Sequence, residues 1–353
     1  MVTQNQKAGL ALARGFIVFI MPAVHSVWLY SANDVKQGWL GISLGFLAEG
    51  PGAQSFMLLM GVFIVLGRPK TNKQIFSRSL IIFLMGYLLN LFKLVIPYYA
   101  GWIPEKFLTD NQFAVDAMLP LNLLLVGDIL QFAAIAYLAC SLINKVRKSA
   151  IVTIILIVFV LIASPVVWEF SANGFAGTKT LSLFNGSPPY VFFPVFPWLF
   201  YPLSGLLGAR VMKKYSSNTD VGVLFGIAGW LLVLGGYYIT QYEPNSWNLT
   251  FYRLGTGGTI MHGGIVLLWL ALFIWLPLVI RNNFFFRLLS WVSKHITVIY
   301  LVQWVVIIWM LPLFGYNQLN ILKSLLAVFT TSTISFTLPL LFQKYLLKQK
   351  TKT

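Results

Sequence analysis

Apolar residues run in long blocks along this chain, and the short segments between the blocks carry nearly all of its charge. Blocks near the ~20 residues needed to cross a hydrocarbon core roughly 30 Å thick cover 15–32, 39–66, 79–98, 119–143, 150–168, 190–209, 221–240, 259–280, 291–313 and 321–343. The pattern predicts an all-α polytopic membrane helical bundle of about ten transmembrane helices, forming a single integral membrane domain over 1–353. The second block is too long for a simple crossing. Its Glu49-Gly50-Pro51-Gly52 stretch is expected to break or kink it, leaving 38–48 as an outer arm with Glu49 turned inward.

Charge sets the orientation. Most of the 25 lysines and arginines fall in one alternating set of loops: Lys7 and Arg14; Arg68, Lys70, Lys73 and Arg78; Lys145, Arg147 and Lys148; Arg210, Lys213 and Lys214; Arg281 and Arg287; and the tail lysines. Because basic residues concentrate on the cytoplasmic side, both termini are expected there. The net charge of +16 is explained by this topology, so nucleic acid is not an expected partner. The opposite loops are longer and hold Asp34, Glu105, Asp110, Asp116, Glu169 and Glu243 as an outer vestibule, and 169–189 is expected to be an irregular loop, either a contact for an acceptor or an ordinary connector. Cys140 is the sole cysteine and reads as a small buried hydrophobe. The first block lacks a small-residue cleavage site and is expected to be retained.

Composition, 58% hydrophobic and 10% charged, makes any ionisable group inside a block conspicuous. His25 lies eleven residues beyond Arg14, about 16 Å deeper at 1.5 Å per residue. The same count puts Glu49, Asp128, Gln131 and His262 in the outer half, about 10 Å above His25, with Trp198 roughly level with His25. A neutral imidazole beside a carboxylate suits proton transfer from an attacking hydroxyl or amine. The plainer alternatives are a histidine bonding between helices and carboxyls that pack in protonated form. Three scattered histidines do not make a metal site, and no phosphate-binding or dinucleotide motif occurs.

Several stretches, in order, resemble the transmembrane acyltransferase superfamily, which includes acyltransferase-3 proteins and heparan-α-glucosaminide N-acetyltransferase-like proteins. They are ARGFIVFIMPAVH with its Arg14-x10-His25 pair, AEGPGAQSFMLLMG, VGDILQFAAIAYL, FPVFPWLFYPLSGLLGAR and LSWVSKHITVIYLVQ. The chain departs from the heparan-glucosaminide branch in having no histidine between Ser26 and Glu49. It departs from many acyltransferase-3 proteins in lacking Arg-x-x-Arg.

The resemblance implies transfer of an acyl group, often acetyl, from a cytoplasmic acyl-CoA to a carbohydrate or lipid-linked acceptor outside. No tightly bound cofactor is implied, and acetyl-CoA would be a co-substrate. His25 would be catalytic, with Glu49 and Asp128 managing its proton. Arg14, Arg68, Lys70 and Arg78 would bind the donor, and Gln131, Trp198 and His262 the acceptor. The expected setting is a bacterial cytoplasmic (inner) membrane, with membrane lipid as a partner and a homo-oligomer left open. A secondary transporter or flippase with a midplane polar site is the rival reading.

Overall fold

The computed structural model describes residues 2–186, 191–215, 217–248, 250–279 and 283–350. Pro188, Pro189, Arg281 and Lys352 lie outside the described residues. In chain order the main helices are α1 (Gln4–Tyr30), α2 (Trp39–Leu66), α3 (Asn72–Tyr99), α4 (Ile129–Ile143), α5 (Ser149–Trp168) and α6 (Phe200–Lys214). They continue with α7 (Asn218–Thr240), α8 (Thr256–Val279), α9 (Phe284–Lys294), α10 (Ile296–Trp309) and α11 (Ile321–Gln343).

Seven of these, α1, α2, α3, α5, α7, α8 and α11, are long and apolar enough to span a membrane, or up to eight if the bent α9–α10 pair counts as one. Three predicted blocks do not form straight crossings. Block 119–143 divides into a short helix, Leu119–Leu124, and α4. Block 190–209 enters through irregular chain before α6, and block 291–313 bends by 84° at His295. Leu119, Leu123, Val191 and Val195 are buried by protein, so their hydropathy reports enclosure rather than a crossing.

Two spans carry π-helical turns. Ala48–Gly52 widens α2, which accommodates the missing N–H of Pro51 without ending the helix. Residues 39–47 are therefore the first third of one span rather than a separate outer arm, and the Glu49 side chain is exposed rather than enclosed. Leu91–Val95 widens α3 in the same way and brings Lys93 into the interior, 4% exposed.

Helix α1 is central, packing against α2, α8, α9, α10 and α11. Thr3 and Gln6 form a reciprocal cap at its start. At its end, the carbonyls of Leu29 and Tyr30 accept from the backbone N–H groups of Asn317, Gln318 and Leu319. This ties off an otherwise unsatisfied helix terminus five residues beyond His25.

Helices α2 and α6 touch backbone to backbone. A Cβ on Gly61 would lie 2.0 Å from the Pro202 carbonyl oxygen, and one on Gly205 would lie 1.9 Å from that of Leu58. Gly205→Val is expected to force these helices apart and cost at least ~1–3 kcal/mol, read as a lowered melting temperature of the detergent-solubilised protein. An unchanged melting temperature would mean that the crossing can open without loss.

Candidate active site

The central cavity has a volume of about 260 Å³ and lies between α1, the two π-helical turns, the start of α4 and one face of α10. His25 lines it with Lys93, Asp128, Tyr252, Tyr300 and Trp304. The cavity reaches Phe107, Asn111 and Tyr316 in the segments outside the spans, and in the other direction its lining ends at Ile17, three residues from Arg14.

The His25 ring stacks on Trp304, with centroids 4.1 Å apart and planes at 27°. Lys93 Nζ lies 4.6 Å from the centre of a Trp304 ring and donates to Asp128 Oδ2 at 2.7 Å. Trp304 is thus in contact with both the imidazole and the ammonium. Gln303 lies against His25 and donates to Met21 Sδ at 3.3 Å. His25 Nδ1 is buried and has no hydrogen-bond partner among the described residues.

Asp128 owes its position to the helix it starts. As N-cap of α4 its Oδ1 accepts from Ile129 N at 2.7 Å, while Gln131 Oε1 accepts from Asp128 N at 3.0 Å. A helix beginning inside a protein buried in lipid exposes N–H groups that water cannot reach, and this cap satisfies them. The second carboxylate oxygen is left for Lys93. At the end of the cavity beyond the spans, burial and then Asp110 push the Tyr316 phenol up to about 12, so it stays a neutral donor through the physiological range.

The structure brings His25 and Asp128 to the lining of one cavity. Arg14, the reference point for depth along α1, is not at a helix end. It sits ten residues into α1, half-buried, where Nε donates to Ser293 Oγ at 2.9 Å and the guanidinium lies 4.4 Å from the Phe63 ring centre.

Glu49 does not line the cavity. The three side chains expected to meet an acceptor stand one layer behind its wall. Trp198, 1% exposed, donates from Nε1 to the carbonyl of Tyr252 at 2.9 Å. Gln131 holds Asp128, as described above. His262 Nδ1 lies 3.0 Å from Gln54 Nε2, which also donates to the Glu49 carbonyl at 2.7 Å and so supports the π-turn of α2.

Arg68, Lys70 and Arg78 lie at the basic end of α2 and α3, away from the cavity lining. Lys70 and Arg78 both approach the Tyr137 ring, at 5.6 and 5.4 Å. Lys93, Tyr300 and Trp304 line the cavity without having been expected from the sequence. The signal for Lys93 was a cation embedded in the apolar run LFKLVIP, and for the aromatic pair an i, i+4 spacing on one face of α10. Among the described residues, no three His, Cys, Asp or Glu side chains gather as a metal site.

Fold and site together define an all-helical integral membrane protein with a buried histidine in an internal cavity. Residues 8–242 match the family model for heparan-alpha-glucosaminide N-acetyltransferase, catalytic, and the chain belongs to that family. Acetyl transfer in a membrane is therefore the general class of its activity. No curated protein and no solved structure matches the chain at a significant level.

Proposed function

We propose that the protein moves an acetyl group from acetyl-CoA on the cytoplasmic side to an amine or hydroxyl of a carbohydrate or lipid-linked acceptor on the other side, with His25 as the catalytic residue. The observation that carries this reading is an imidazole, its Nδ1 without a hydrogen-bond partner among the described residues, lining a cavity that reaches segments beyond the spans at one end and ends near Arg14 at the other. The charged phosphates of the donor would stay among Arg14, Arg68, Lys70 and Arg78 while its thin pantetheine arm reaches inward. His25 would take the proton from the attacking group, or carry the acetyl group itself in two half-reactions. Asp128 supports the charge that the imidazole gains. Trp198, Gln131 and His262 would act on the acceptor through the wall residues they hold.

The test is transfer of label from acetyl-CoA to glucosamine by the purified protein in detergent or liposomes, with thioester hydrolysis followed in parallel. Saturable transfer supports the reading. A solute counterflow that proceeds without donor consumption would instead favour a carrier, whose sites also lie at such depth between interrupted helices.

The same reading places both termini in the cytoplasm of a bacterial inner-membrane protein. In right-side-out vesicles an impermeant maleimide is expected to label Lys106→Cys and to leave Lys7→Cys unlabelled until the membrane is opened. Both positions are exposed, and the native Cys140 is buried. The opposite labelling pattern would invert the topology.

A further inference from the structure

We propose that Lys93 is a second catalytic residue, the cation that stabilises the oxyanion formed when the acetyl thioester is attacked. This assignment rests on the acetyl-transfer reading above. Among the described residues Lys93 is the one cation lining the cavity. An ammonium carries three N–H donors. One is committed to Asp128 Oδ2 at 2.7 Å, and the group lies 4.6 Å from the centre of the Trp304 ring against which His25 stacks. The base and the cation therefore contact the same indole, and the lysine keeps donor capacity for the cavity. Both π-helical turns border this space, and the one in α3 brings Lys93 into it.

The step balances without a further reactant. The nitrogen or oxygen of the acceptor bonds to the thioester carbonyl carbon, its proton passes to His25, and the C=O pair moves onto oxygen beside Lys93. Collapse restores C=O and breaks the C–S bond, and the thiolate of coenzyme A leaves with the proton from the imidazolium. Charge grows on the carbonyl oxygen only as the transition state is approached. A preorganised donor there lowers the barrier rather than tightening ground-state binding.

The partnership with Asp128 complicates the simple variant, since Lys93→Met leaves a buried carboxylate unpaired. The experiment therefore compares Asp128→Asn with the double variant Lys93→Met plus Asp128→Asn, using labelled acetyl-CoA and glucosamine, with folding checked by size exclusion. The double variant is expected to be slower in kcat than Asp128→Asn by a further ~10²–10³-fold, with KM for the donor little changed. Ethylamine added to Lys93→Ala is expected to restore part of the rate. A double variant as fast as Asp128→Asn, or rates that merely follow melting temperature across Lys93→Arg, Lys93→Gln and Lys93→Met, overturns the assignment to Lys93 alone. Absence of transfer by the unmodified protein would remove the acetyl-transfer reading and this assignment with it.

Discussion

Replacing His25 with alanine is expected to lower acetyl transfer by about 10²–10⁴-fold, the range that a positioned general acid or base contributes. The fold should tolerate the change. The capping box at the start of α1 and the backbone bonds that close its end do not involve the imidazole. What is lost in packing is the stack on Trp304. Transfer from labelled acetyl-CoA, measured beside a melting curve, separates the two effects. A variant that melts with the unmodified protein and transfers nothing assigns the chemistry to His25. One that transfers at the original rate would reduce the histidine to packing. His25→Gln sharpens the comparison, because it keeps a polar side chain in the cavity and cannot shuttle a proton near neutral pH.

The largest effect on stability is expected at Asp128. Asp128→Ala removes the partner of a cation that is 4% exposed, and it also removes the cap of a helix that starts away from water. Breaking a buried pair from one side costs about 3–5 kcal/mol, because the remaining charge keeps its desolvation penalty and loses its compensation. The lost cap adds about 0.5–2 kcal/mol. Denaturation in mild detergent should therefore show a large loss for Asp128→Ala and a smaller one for Asp128→Asn, which can still accept from Ile129 N. Removing both charges, as in Lys93→Met plus Asp128→Leu, should recover much of the difference while abolishing transfer. If Asp128→Ala were as stable as the unmodified chain, the pair would have to be solvated, against its burial in the structure.

The family match covers the opening helix but leaves one departure to explain, the absence of any histidine between Ser26 and Glu49. In the structure His25 already lies close to the C-terminal end of α1, with Tyr30 the last helical residue. It therefore reaches the cavity from the helix itself, and a histidine from the following segment is not needed to line it.

Hydropathy alone established a helical membrane protein, and the RG-containing first helix, the Pro51 turn and the Asp128–Gln131 stretch pointed to its family. It also singled out His25, because an ionisable group inside an apolar run has few idle reasons to be there. Those features are local: each is read within a few turns of one helix. Tertiary structure alone decided that α4 begins inside the bundle at Asp128, that a π-turn in α3 carries Lys93 to meet it, and that α10 brings Trp304 into contact with both that cation and His25. Depth counted along a helix assumes that basic residues mark the membrane edge, and Arg14 breaks that assumption by bonding Ser293 on another helix. The direction in which a side chain points depends on helical register. A single π-turn resets that register by an amount that apolar composition does not record, and Lys93, buried at such a turn, is the instance that matters for the cavity.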